Sequence, residues 1–180
     1  MCVGHTHTGK TTFAKQLIKK HKHITLLDSD EVAVFLREKY PHIVSSEYNK
    51  SRHAFRYSNL KFTVFKDIYT FSLKTGLSMI LSNGNLAKNM RSFIVSHAKK
   101  HEYSVILVYF NVPREVIVDR LSKTKKSENV FIQSKSWNEV FARQEKYAEF
   151  PPSKRGTIYF EIKNSSDLET VTKEINRLIK

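Results

Sequence analysis

Apolar residues along the 180-residue chain fall into two rhythms, short unbroken runs and stripes at helical spacing, and the two alternate from one end to the other. The runs at 1–3, 24–27, 77–82, 103–110 and 157–162 predict five strands. The run at 103–110 is the clearest, rich in Val, Ile and aromatics in the manner of a strand covered on both faces. The first is short, because only Met1, Cys2 and Val3 precede Gly4. Between the runs, Phe13, Leu17 and Ile18 predict a helix over 10–22, and Asp28, at cap-box spacing from Glu31, opens another that reaches about Tyr40. Phe55, Leu60, Val64, Ile68 and Leu73 form a long stripe over 49–74 that Gly76 stops. A helix over 88–101 should bury Met90, Phe93, Ile94 and Ala98, and Pro113 suits the first turn of one reaching Ser122. Ser136 and Glu139 form a capping box for a helix broken by Pro151-Pro152. A last helix, capped at Ser166 and Glu169, should turn Leu168, Val171, Ile175 and Leu178 inward. Residues 123–135 lack apolar periodicity and read as an exposed, mobile lid.

Strands alternating with helices imply right-handed βαβ units and a largely parallel sheet covered on both faces. Ligands of such sheets bind at the carboxyl ends of the strands. The segments 4–11, 28–30, 83–85 and 111–113 each follow a predicted strand and so meet on that edge. No repeat, linker or low-complexity tract divides the chain, which reads as a single domain over 1–180.

Composition narrows the setting. The length supports a proper core without staples, and the lone Cys2 excludes an internal disulfide. No apolar run is long enough to span a bilayer, and no basic segment followed by an apolar stretch opens the chain, so a cytoplasmic protein without a membrane partner is expected. A net charge of +14 favours polyanionic partners: nucleotides, phosphorylated metabolites or nucleic acid. Part of it has a plainer origin, since Lys19, Lys20 and Lys22 close the first helix, where cations meet the negative end of the dipole.

The chemistry concentrates at the start. Gly4-His5-Thr6-His7-Thr8-Gly9-Lys10-Thr11 is a complete G-x-x-x-x-G-K-[ST] phosphate loop, with Thr12 following it into the helix. Its N–H groups would converge on the phosphates of ATP, Lys10 would reach the β and γ phosphates, and the Thr11 hydroxyl would ligate Mg²⁺. Phosphoryl transfer also needs a carboxylate for the acceptor's proton and positive charge on the transferred group. Asp30, after the second strand, is favoured over Asp28, whose plainer role is a helix cap. Arg120, followed by Lys123, Lys125 and Lys126, is the leading source of positive charge. Arg52 and Arg56, four apart, could grip an anionic substrate, as could Arg91, while Asn83 stands in the third edge loop beside them. Tyr48 or Phe55 could stack on a base, and Trp137 reads as core. The paired histidines His5 and His7, His21 and His23, and His97 and His101 lack a third ligand in local spacing and read as solvated.

With these residues in place, the chain resembles the small P-loop kinases that include zeta-toxin-like and polynucleotide-kinase-like proteins. The resemblance rests on the phosphate loop, Leu27-Asp28-Ser29-Asp30-Glu31, Gly76 to Ser82 with Arg91 beyond, Val108 to Arg120, and the Phe150-Pro151-Pro152 break. It implies an α/β fold of the nucleotide-kinase-like P-loop class, a three-layer αβα sandwich around a five-stranded parallel sheet. It also implies that Asp30 is the catalytic base and that Arg120 and the following lysines, leading into the lid, contact ATP phosphates. Three positions depart from the pattern. His7 stands where relatives usually have Gly, Ala33 where they have Arg, and Asn83 where they often have Asp; Arg37, four beyond Ala33 on the same helix face, is the available substitute. The function implied is an ATP-dependent kinase acting on a hydroxyl of a small molecule, a nucleotide or a polynucleotide 5′ end. The alternative is an ATP-binding module with weak or no phosphotransferase activity.

Overall fold

In a computed structural model the chain is described over residues 1–41, 54–126 and 134–179, with the side chains of 54–59 left aside. Among the described residues the elements run β1 (Cys2–Val3), α1 (Lys10–Lys20), β2 (Ile24–Leu27), α2 (Ser29–Lys39), α3 (Ala54–Lys74), β3 (Ser78–Leu81), α4 (Lys88–Lys100), β4 (Ile106–Phe110), α5 (Arg114–Ser122), α6 (Trp137–Tyr147), β5 (Ile158–Ile162) and α7 (Ser165–Leu178). All strand pairs are parallel, as the βαβ alternation requires. They form two ladders, β1-β4-β5 and β2-β3, rather than one unbroken five-stranded sheet. The ladders meet just past the strand ends, where the Gly4 N–H donates to the Gly84 carbonyl at 2.9 Å, giving the spatial order β2-β3-β1-β4-β5.

Helices cover both faces. On one, α1 and α7 send Phe13, Leu17, Val171 and Ile175 against Ile24, Ile80, Val108 and Phe110. On the other, α3 and α4 send Phe65, Tyr69, Leu73 and Ile94 against Leu27 and Leu81. Below the Gly4–Gly84 contact, between β3 and the β1-β4 pair, an apolar cavity of about 560 Å³ opens, lined by Met1, Cys2, Leu17, Tyr69, Met79 and Ile106 among others. The two-residue β1 leaves the lower part of β3 without a neighbour there.

Local differences from the pattern have local causes. The last helix is capped by Asn164, whose side chain accepts the Asp167 N–H at 3.0 Å, two residues before the expected Ser166. Leu178, expected inward, is 47% exposed at the end of α7. Ser136 caps α6 through the Glu139 N–H as the box predicts. Among the described residues no helix is long and apolar enough to cross a membrane.

Candidate active site

The phosphate loop turns between β1 and α1 by using backbone conformations that most residues avoid. Gly4 has φ +151°, and a Cβ there would sit 2.9 Å from the Phe110 carbonyl oxygen, so only glycine fits beside β4. Gly9 enters α1 at φ +98°. His7 takes φ +59° despite its side chain, a conformation costing of order 1 kcal/mol. Neighbours hold it there: the Trp137 ring edge-on at 4.7 Å, the Thr6 hydroxyl against Nδ1 at 2.9 Å, and Arg120 Nη1 donating to the His7 carbonyl at 2.9 Å. His5 lies edge-on between Phe141 and Phe150, and the Thr6 N–H donates to Gln144 Oε1 of α6 at 2.7 Å.

Lys10, 8% exposed, folds back to donate to the His5 carbonyl and to Thr8 Oγ1. Burial pulls its ammonium down to about 8 from an ordinary value of 10.5, partly offset by Cys2, Asp28 and Asp30. Burial also lowers His5 and His7, His7 further through the charges of Lys10 and Arg120. Thr11 and Thr12 stand exposed in the first turn of α1.

Beside the loop, the start of α2 holds two carboxylates with different duties. Asp28 is the helix cap and is buried, its Oδ1 accepting from the Asp30 N–H and Asn83 Nδ2, both at 2.8 Å, and its Oδ2 from the Ser82 hydroxyl at 2.5 Å. Asp30 is partly open, and its Oδ1 takes an ion pair from Lys61 of α3 at 2.8 Å. Asn83 completes a short network, donating also to Ser29 Oγ and accepting the Ser29 N–H.

A profile of the AAA domain family AAA_33 matches residues 1–151. The chain belongs to that family. No curated protein matches this AAA_33 chain. Among solved structures, a protein from Chloroflexus aurantiacus j-10-fl aligns over 99% of this chain and 96% of its own, with TM-score 0.69 and 15% identity. A sugar kinase from Janibacter sp. HTCC2649 aligns over 99% and 94%, with TM-score 0.64 and 15% identity. The APS kinase of Mycobacterium tuberculosis, solved with AMPPNP and APS, aligns over 99% and 94%, with TM-score 0.60 and 13% identity. At these identities the neighbours establish a P-loop fold of the kinase-like α/β class.

The remaining candidates of this AAA_33 domain separate. Arg120 comes to the phosphate loop through the His7 carbonyl, 113 residues away along the chain. Arg91, expected near substrate, is instead 6% exposed and donates to the carbonyls of Asn85, Leu86 and Glu149, which makes it a strut between the third edge loop and the chain after α6. Arg37 lies in the last turn of α2, two turns beyond Asp30, and Lys61 forms an ion pair with Asp30. Arg52 and Tyr48 fall outside the described residues, as do residues 127–133 of the lid expected over 123–135; Arg56 and Phe55 lie in α3 with side chains not described. His5 and His7, expected in solvent, are half-buried among aromatic rings, and the described residues contain no group of three metal-ligating side chains. Lys61 and Gln144 have no local sequence signal, since each acts across a helix packing that only the fold creates.

Proposed function

We propose that the domain is an ATP- and Mg²⁺-dependent phosphotransferase that moves the γ-phosphoryl group to a hydroxyl of a small molecule, a nucleotide or a polynucleotide 5′ end. The bond from Arg120 to the His7 carbonyl carries this reading. It sets a guanidinium on the loop whose N–H groups and Lys10 would hold the phosphates, on the same edge as the Asp30 carboxylate.

The roles follow from the contacts. The loop from Gly4 to Thr11 with Thr12 cradles the phosphates, and Lys10 exchanges its bonds to the His5 carbonyl and Thr8 for phosphate oxygens. The Thr11 hydroxyl, exposed in the first turn of α1, is the hard-oxygen donor that would take Mg²⁺ beside the phosphates. An ion held there would supply charge neutralisation on the phosphates. Lys61 fixes Asp30 Oδ1 and leaves Oδ2 to receive the acceptor's proton while its oxygen bonds to the γ phosphorus and the bond to the β–γ bridging oxygen breaks. Arg120 stabilises charge on the moving phosphoryl group. Asn83 and Ser82 hold Asp28, and Arg91 holds the loop carrying Asn83.

Labelled ATP offered with a panel of sugars, hydroxy acids, nucleosides and 5′-OH oligonucleotides tests the reading. Transfer to at least one acceptor is expected, falling at least 100-fold in both Lys10→Met and Asp30→Asn, with ATP affinity kept in Asp30→Asn. Tight ATP binding without product across the panel would establish the binding-module alternative.

A further inference from the structure

A parallel sheet sends every helix-to-strand connection to one edge, opposite the phosphate loop. Here that edge is strongly basic. In the spatial order of the strands it presents Lys22 before β2, Lys74 before β3, Lys99 and Lys100 before β4, and Lys154 and Arg155 before β5, all exposed. Lys99 lies directly over Gly156, so the last two groups are contiguous. Glu102 is the one acid in 21–23, 75–77, 101–105 and 153–157; Glu149, earlier in the connection from α6 to β5, instead accepts the Lys88 N–H beyond the other end of β3.

Helix dipoles explain part of this charge. Four helices, α1, α3, α4 and α7, end at this edge, each with about half a negative charge for nearby cations to offset. Lys154 and Arg155 follow no helix end, and the row exceeds what those dipoles neutralise. Five strands at about 4.8 Å spacing make the row about 20 Å long. A line of cations of that length matches a flexible phosphate backbone better than a single small anion. The apolar side chains at this edge, Leu77, Ile158 and Leu178, are each more than half covered and form no wedge for a bilayer.

We infer that the edge opposite the phosphate loop is a tether for single-stranded nucleic acid, holding the backbone of the strand through its phosphates. It is separate from the active site and does not rest on the kinase reading.

Anisotropy of a labelled single-stranded 20-mer, measured across a salt series, tests it. In the variant Lys22→Glu/Lys74→Glu/Lys100→Glu/Arg155→Glu, affinity should fall at least tenfold and the slope of log affinity against log salt should flatten by about 3. A charge-matched control, Lys15→Glu/Lys39→Glu/Lys146→Glu/Lys173→Glu, should stay within about threefold of the parent, and saturating ATP should leave binding unchanged. Equal losses in both variants, displacement by ATP, or binding to phosphatidylserine vesicles without binding to the oligonucleotide would each overturn the proposal. Circular dichroism confirms that both variants are folded.

Discussion

At the scale of single residues, the phosphate loop is built at the expense of stability, and Lys10 shows where the cost falls. Its ammonium is buried among backbone carbonyls, and its affinity for a proton has dropped to about 8. Below pH 8 the folded chain must keep the charged form out of water, while the unfolded chain keeps it solvated. Between about 8 and 10.5 the unfolded chain binds more protons, so stability rises with pH and the penalty disappears across that window. The shift corresponds to about 3 kcal/mol at neutral pH. Lys10→Met should therefore melt several degrees above the parent at pH 7 in the absence of nucleotide, with the gap closing by pH 10. Melting curves at the two pH values check this. A variant that melts lower at pH 7, or a gap that persists at pH 10, would mean that the bonds to His5 and Thr8 outweigh the burial. The loop motif exposes Lys10 to any reader of the sequence; the burial comes from Thr8, Cys2 and the strands around it, which no local pattern reports.

At the scale of elements, what was legible depended on how far apart the partners lie in the chain. The cap of α6 reads directly, because Ser136 and Glu139 are three residues apart. The cap of α7 is ambiguous in sequence, since Asn164, Ser165 and Ser166 can each cap, and only the path from β5 selects Asn164. Asp28 has cap-box spacing to Glu31, yet its carboxylate is drawn to Ser82 and Asn83, 54 and 55 residues away on the neighbouring strand end. Ala33 and Arg37 frame the same lesson. A search for a cation along α2 finds Arg37, whereas the packing of α2 against α3 through Val32, Leu36, Leu60 and Val64 delivers Lys61 to Asp30 from 31 residues downstream. Because Asp30 is 38% exposed, the pair adds well under 1 kcal/mol to stability. Its weight should fall on catalysis. Lys61→Met is expected to lower turnover at least tenfold in the phosphoryl-transfer assay, with the melting temperature shifted by no more than about 2 °C, and Lys61→Arg should restore part of the rate. Unchanged turnover would make the pair a packing feature alone.

At the scale of the whole molecule, the two ladders behave as halves of one sheet that fail to close. Gly4 to Gly84 and Asn85 Nδ2 to the Cys2 carbonyl join them at the active-site edge, so the site is assembled where the halves touch. Toward the other edge the halves part around the cavity of about 560 Å³, where the Met1 nitrogen donates to the Ile106 carbonyl at 2.6 Å. Two strand borders facing each other across an apolar slot leave room for one more strand, parallel to both. Four residues such as Ile-Val-Val-Ile placed directly ahead of Met1 would carry β1 down the slot between β3 and β4. Each apolar side chain placed there is worth about 1.5–3 kcal/mol, against about 1–2 kcal/mol per residue for ordering the backbone. The balance favours closure by a few kcal/mol, or about 5 °C or more in melting temperature for a domain of this size. A Gly-Ser extension of equal length adds the same backbone without filling the slot, so the difference between the two extensions isolates the strand. If both extensions melt alike, the slot does not accept a strand, and the halves of the sheet are joined by the bonds from Gly4 to Gly84 and from Asn85 to Cys2 without it.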